Sequence, residues 1–147
     1  MKSRVRNAFT LIEILIVVVI MAILAATIIP QFTDSTGDAE VATAEFNVNT
    51  LRSQIELYKA QHGGALPAYN GTTKNIDGLT TQTTHNGKNY GPYMVMIPEN
   101  SVNGLSTVKE STTSGGIALA DVDGLTGWIY HTGLGEVRIN HASHWQK

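Results

Sequence analysis

The chain has 147 residues, no cysteine and a formal net charge of −2. This length fits one modest domain, and the lack of cysteine excludes disulfide scaffolds, cysteine-ligated zinc and thiol chemistry. The balanced charge provides no basic surface for wrapping nucleic acid.

Composition divides the chain into four segments with different expected roles. Residues 1–8 form a basic leader peptide, and residues 9–30 form an almost wholly apolar transmembrane and assembly helix. Residues 31–61 alternate polar and apolar patches as an amphipathic helix does, and residues 62–147 form a head that holds 13 of the 14 glycines. Glycine at that density is hostile to long helices and normal in turns.

The apolar run of residues 9–29 is long enough to cross a membrane. As a helix it spans about 30 Å, and Glu13 is its only charged residue. A cleaved signal peptide has a shorter apolar core and an A-x-A-like site, and no such triplet occurs between Ile20 and Pro30. A buried helix of a soluble protein would be the other alternative, but this run has no polar face to present to water. We therefore predict a retained single-pass anchor.

Three basic residues, Lys2, Arg4 and Arg6, precede the span, and an acidic stretch follows it. By the positive-inside rule, the N-terminus faces the cytoplasm and the head lies on the other side of the membrane.

Glu13 is the residue of the span that most needs an explanation. A carboxylate within a membrane span costs about 2.5–3.5 kcal/mol on insertion scales. Because Glu13 follows Phe9 by only four residues, it could lie near the headgroups or be protonated. Alternatively it is paired with a cation. No lysine or arginine occurs from residue 7 to residue 51, so that cation would be a freed α-amino group or a group of another subunit.

Pro30 is predicted to kink or interrupt the helix, because proline has no backbone N–H. Beyond it, apolar residues recur at spacings of three and four, which is one stripe of an amphipathic helix. The stripe consists of Val41, Ala44, Val48, Leu51, Ile55 and Tyr58. The pair Gly63-Gly64 is predicted to end the helix, and the stripe is predicted to cover a small sheet of the same chain.

The head is predicted to contain short strands joined by long loops. Residues 127–131 and 136–140 flank a glycine-containing turn, which is a hairpin signal. Residues 93–97 and 116–122 are further candidate strands, and the threonine-rich residues 70–90 are predicted to be loop. The expected fold class is α+β, with a long N-terminal helix packed on a small antiparallel sheet.

The residues at the start of the apolar helix resemble those of a known family. The segment Ala8-Phe9-Thr10-Leu11-Ile12-Glu13 follows short basic residues and opens a helix with Pro30 near its end. It resembles the N-terminus of type IV pilins and type II secretion pseudopilins. Residues 51–67, 91–100 and 127–140 are similar to the G-type major pseudopilins, which extends the resemblance over most of the chain.

This resemblance implies how the chain is processed and assembled. A prepilin peptidase would cut between Ala8 and Phe9 on the cytoplasmic side and methylate the new amine of Phe9. In the family, the glutamate that matches Glu13 meets the N-terminal amine of a neighbouring subunit, which would supply the missing cation. Ala8 departs from the family pattern, in which glycine usually precedes the cut.

The resemblance also implies a candidate metal site. G-type pseudopilins carry calcium in a loop near the C-terminus, and the matching candidates here are Asp121 and Asp123 in the sequence DVDG. Oxygen ligands in a loop suit calcium, but the ion takes six to eight of them. Asp and Gly also favour turns without any metal. No other cofactor is expected.

The resemblance implies a structural subunit of a pilus-like filament, with the pseudopilus of a type II secretion system as the first choice. A type IV pilus or a competence filament is the alternative, which the absence of the pilins' usual C-terminal cysteine pair disfavours. The expected partners are further copies in a helical filament, the prepilin peptidase and an inner-membrane assembly platform. A signal-anchored periplasmic binding module would explain the anchor but not Glu13. No GxSxG, HExxH, P-loop or dinucleotide fingerprint supports an enzyme.

Overall fold

The computed structural model describes residues 9–146, except for the side chains of residues 30–35. The chain divides into two compact units, with the boundary between Asp38 and Ala39.

The first unit is helical. Helix α1 spans Leu11–Gln61, and its part from Leu11 to Ile29 has a mean hydropathy of 3.0 with none of it buried in the single chain. Those 19 residues are long and apolar enough to cross a membrane. The predicted apolar helix is therefore present, and the part of the chain that the structure describes does not bury its side chains.

The helix continues through Pro30 without a break. The predicted interruption at Pro30 is wrong, because one missing N–H donor removes a single backbone hydrogen bond and the flanking turns keep theirs. A kink at this position stays a prediction.

The second unit contains the amphipathic part of α1. The predicted stripe is confirmed: Ala44, Val48, Leu51 and Ile55 are no more than 1% exposed, and Tyr58 is 8% exposed. The helix ends as predicted, because Gly63 adopts φ +63°. The N–H of Gly64 donates to the carbonyl of Lys59 at 2.8 Å, which is the longer bond of a Schellman motif.

Within residues 62–146, the head contains one short helix and five short strands. They are α2 (Asp77–Thr80), β1 (Thr83–His85), β2 (Lys88–Tyr90), β3 (Val108–Ser111), β4 (Trp128–His131) and β5 (Glu136–Ile139). A 3-10 helix, Leu119–Asp121, lies between β3 and β4. The hairpin predicted at 127–131 and 136–140 is confirmed as β4 and β5, which pair antiparallel.

The strands form two sheets. Strands β1 and β2 pair antiparallel as a two-stranded hairpin, and β3, β4 and β5 form a three-stranded sheet in that order. The predicted α+β class is confirmed, but β3 pairs parallel with β4, with Val108 opposite Trp128. A parallel pair needs a long connection, and the segment between Ser111 and Trp128 provides it.

Two predicted strands are wrong. Residues 93–97 form no strand: Val95 is 89% exposed and Met96 is 70% exposed, and the N–H groups of Tyr93 and Met94 both donate to the carbonyl of Leu79. Residues 116–122 form a loop and the 3-10 helix, because the carboxylate of Asp121 accepts the N–H of Ala118 and turns the chain there.

The prediction that residues 70–90 are loop is also wrong in part, because the segment contains α2, β1 and β2. The sequence Asn86-Gly87 joins the two strands, with φ of +49° and +75°. An Asn-Gly pair with both residues at positive φ is the preferred two-residue hairpin turn, so this signal was present in the sequence.

The stripe of α1 and the three-stranded sheet share one hydrophobic core. Leu51 and Ile55 belong to the same buried cluster as Trp128, Tyr130 and Val137. Arg52 adds a polar link, because its guanidinium donates twice to the carbonyl of Val137, at 2.9 and 3.1 Å. The predicted packing of the helix on the sheet is therefore confirmed.

Candidate functional site

Thr10 and Glu13 form reciprocal hydrogen bonds at the start of α1. The backbone N–H and the hydroxyl of Thr10 both donate to Glu13 Oε2 at 2.8 Å. The backbone N–H of Glu13 donates to Thr10 Oγ1 at 3.3 Å. Because α1 begins at Leu11, Thr10 is the N-cap and Glu13 is the third helical residue. This arrangement is a capping box, which satisfies donors that the first turn of a helix otherwise leaves unpaired.

The capping box gives Glu13 a role within its own chain. A negative charge in the first turn also interacts favourably with the helix dipole. Among the described residues, no donor reaches the second carboxylate oxygen, Oε1. One oxygen of Glu13 thus stabilises the helix start, and the other can accept a bond from another molecule.

The side chains around this carboxylate are apolar and exposed. Phe9 is 80% exposed, Leu11 is 85% exposed and Ile12 is 62% exposed. Ala8, and with it the predicted cleavage site, lies outside the described residues. Cleavage between Ala8 and Phe9 and methylation of Phe9 stay predictions.

The capping role of Thr10 was not predicted, although its signal is present in the sequence. Threonine followed three residues later by glutamate, just before an apolar run, is the sequence pattern of a capping box. Thr10 thus supplies neutral donors to Glu13, in addition to any cation that the carboxylate meets.

The acidic loop, residues 121–124, brings Asp121 and Asp123 close to Lys109 of β3. The ammonium of Lys109 donates to the backbone carbonyl of Asp121 at 2.7 Å and to Asp123 Oδ2 at 2.8 Å. The side chains of Lys109 and Asp123 are both about one-third exposed. Strand β3 therefore provides a cation at the position where the sequence analysis expected calcium.

Asn140 holds the other side of the acidic loop. Its side-chain oxygen accepts the N–H groups of Asp123 and Gly124, both at 3.0 Å. Its side-chain nitrogen donates to Asp123 Oδ1 and to Thr126 Oγ1, both at 2.8 Å. Asn140 is completely buried, so the loop is fixed from the end of β5 as well as from β3.

The donors around the acidic loop keep its carboxylates ionised. Burial would raise the pKa of Asp123, but hydrogen bonds from Lys109, Asn140 and the Leu125 backbone lower it to about 2. For Asp121, burial again raises the pKa, while hydrogen bonds from the Ala118 backbone and from hydroxyl groups lower it below its usual value.

Acid is expected to destabilise the head. Because the pKa of Asp123 is lower in the folded chain than in the unfolded one, its stabilising effect is complete above about pH 4 and disappears as the pH falls towards about 2. Thermal unfolding followed by tryptophan fluorescence should give a constant Tm down to about pH 5 and a falling Tm below about pH 4. A Tm that rises between pH 5 and pH 3 would contradict this account, and Asp123→Asn should flatten the dependence.

The residues of the acidic loop do not fit a calcium site. Asp121 Oδ2 accepts from Ser111 Oγ and from the Ala118 N–H, and Asp121 Oδ1 accepts from Thr113 Oγ1 at 2.8 Å. These bonds turn the carboxylate of Asp121 towards protein donors. Among the described residues, no group of three or more His, Asp or Glu side chains is arranged to hold a metal ion.

Comparisons with known proteins find matches to the N-terminal segment and to more than half of the chain. Residues 3–29 match the family model described as the prokaryotic N-terminal methylation motif. The chain is 34% identical over 86 residues to the type II secretion system core protein G of Pseudomonas aeruginosa, covering 58% of each chain. It is 29% identical over 101 residues to the protein of the same name from Vibrio cholerae, covering 67% of this chain and 66% of the relative.

A pilin is also among the similar proteins. The chain is 43% identical over 53 residues to a fimbrial protein of Pseudomonas aeruginosa, covering 36% of this chain and 34% of the relative. No solved structure matches the chain.

The methylation motif at the start of a long apolar helix, followed by a small α+β head, makes this chain similar to pilin-like proteins. Within that class, the chain is homologous to the core protein G pseudopilins of type II secretion systems. The matched regions span 58% and 66% of the length of the two core protein G relatives.

Proposed function

We propose that this chain is a structural subunit of the pseudopilus of a type II secretion system. The observation that carries the proposal is the start of α1, where Glu13 lies in an apolar, exposed helix with one carboxylate oxygen that no donor of the described residues reaches. The methylation motif and the core protein G relatives support the same conclusion. The proposed role is mechanical and needs no catalytic group.

Processing comes first in this proposal. The basic leader keeps the N-terminus in the cytoplasm, and a prepilin peptidase cuts between Ala8 and Phe9 and methylates the Phe9 amine. The apolar part of α1 stays in the inner membrane as a single-pass anchor, and the head lies in the periplasm. An inner-membrane assembly platform then moves the subunit into the filament.

The apolar part of α1, which first anchors the chain in the membrane, also mediates assembly. The exposed apolar side chains of α1 contact lipid before assembly and contact the helices of neighbouring subunits in the filament. A charged carboxylate away from water requires a cation, and Glu13 Oε1 would accept one from the amine of a neighbouring subunit's Phe9. Glu13 thus sets the register of each new subunit, and the heads remain on the outside of the filament.

A type IV pilus or competence filament is the second candidate, and the match to a fimbrial protein favours it. The absence of cysteine, where pilins usually have a C-terminal pair, favours the pseudopilus. A signal-anchored binding module remains the third candidate, but it gives Glu13 no role beyond the capping box.

Deleting the gene separates these candidates. The proposal predicts loss of secreted proteins from the medium while surface pili persist, with recovery by the wild-type gene. Loss of surface pili with normal secretion would instead support the pilus. Normal secretion together with normal pili would contradict both filament functions.

A further inference from the structure

In the head, Lys109 contacts oxygens of the kind that bind metal ions in proteins. Lys109 lies in β3 opposite Ile129 of β4, and its ammonium contacts one carbonyl and one carboxylate of the acidic loop, at 2.7 and 2.8 Å. Carbonyl and carboxylate oxygens are the groups that bind calcium in proteins. Here an ammonium takes the bonds that a metal ion would take.

The other carboxylate oxygens of the acidic loop already accept hydrogen bonds from protein donors. Asp121 uses both carboxylate oxygens for Ser111, Thr113 and the Ala118 backbone. Asp123 Oδ1 accepts from Asn140 and from the Leu125 N–H. Among the described residues, the oxygens that accept from the Lys109 ammonium are the Asp121 carbonyl and Asp123 Oδ2. A calcium ion would find two ligands in place where it requires six to eight.

We propose that Lys109 is the built-in cation of the acidic loop, so that the head folds and holds this loop without a divalent metal ion. The lysine fixes the loop to β3, and Asn140 fixes it to the end of β5. The long connection that the parallel pairing of β3 and β4 requires is thereby held at both sides of the sheet. This inference concerns the fold of the head and does not depend on which filament the chain enters.

The first arm of the test needs no substitution. The full-length chain in detergent is unfolded thermally, with tryptophan fluorescence as the signal, once with calcium and once with a calcium chelator. The inference predicts the same Tm in both conditions. A Tm that is several degrees higher with calcium would overturn it, since a ligand that binds only the folded state raises the Tm.

The second arm replaces the cation. Lys109→Ala is expected to lower the Tm by about 5 °C with or without calcium, and Lys109→Arg to lower it less. Lys88→Ala, an exposed lysine of β2, is the matched control and should leave the Tm unchanged. An unchanged Tm for Lys109→Ala, or its recovery by calcium, would overturn the inference. Should Lys109→Ala fail to fold, the wild-type calcium comparison and Lys109→Arg still decide it.

Discussion

Glu13→Gln is expected to insert into the membrane like the wild type and to lose filament assembly. Glutamine keeps the capping box, because a glutamine at the third helical residue can accept the same bonds. It removes the charge that would attract a neighbouring subunit's amine. Breaking one partner out of a buried ion pair costs roughly 3–5 kcal/mol, which lowers an association constant by more than a hundredfold. The amount of subunit recovered in isolated filaments, relative to the amount of membrane-bound subunit, measures the effect.

Thr10→Val is the matched control for Glu13→Gln. It removes the hydroxyl that donates to Glu13 and leaves the charge of Glu13 in place. The loss of an N-cap costs about 1 kcal/mol, so its filament yield should stay close to that of the wild type. Normal assembly of Glu13→Gln, or equal loss of assembly in both variants, would contradict a pairing role for the charge.

Trp128→Ala is expected to cause the largest loss of stability in the head. Trp128 is completely buried in the cluster shared by α1 and the sheet, and its indole N–H donates to the carbonyl of Pro98 at 2.8 Å. Removing a buried tryptophan costs about 3–5 kcal/mol, a large part of the total stability of a small domain. The Tm should fall by more than about 10 °C, measured by circular dichroism.

The second tryptophan provides the control for this substitution. Trp145 is half-buried near the C-terminus, and its ring lies 5.5 Å from the guanidinium carbon of Arg138. Such a contact is worth about 0.5–1 kcal/mol at an exposed site, so Trp145→Ala should lower the Tm by only a few degrees. Equal effects of the two substitutions would contradict the assignment of Trp128 to the centre of the core.

The periodic parts of the fold could be predicted from the sequence. The spacing of Val48, Leu51 and Ile55 identifies the buried face of α1, and Gly63-Gly64 identifies its end, because both signals act within a few residues of the chain. The hairpin of β4 and β5 is likewise a local signal. These elements are determined by short-range chemistry that a single sequence contains.

The parts that were missed depend on distant partners. Strand β3 pairs with β4 across a long connection, and no local pattern in Val108–Ser111 indicates that pairing. Conversely, the apolar run around Val95 looks like a strand, but it pairs with none of the described strands, and the N–H groups of Tyr93 and Met94 donate to the carbonyl of Leu79 instead. Among the missed features, the Asn86-Gly87 turn and the Thr10–Glu13 capping box were local signals that could have been recognised.

The two candidate sites also differ in whether the sequence alone could predict them. The sequence identifies Glu13 as a carboxylate in need of a partner, since charge and burial can be estimated from the apolar run alone. The sequence does not place Lys109 next to Asp123, because they lie 14 positions apart in the chain with a 3-10 helix between them. The expectation of calcium followed from resemblance, and the lysine that disagrees with it becomes visible only in the folded chain.

The most direct test of the account is the mass and N-terminal sequence of the protein from the membrane fraction. The account predicts a chain that has lost residues 1–8, begins at Phe9 and carries one methyl group on that amine. An uncleaved chain, or cleavage after Pro30 that removes the apolar helix, would contradict it.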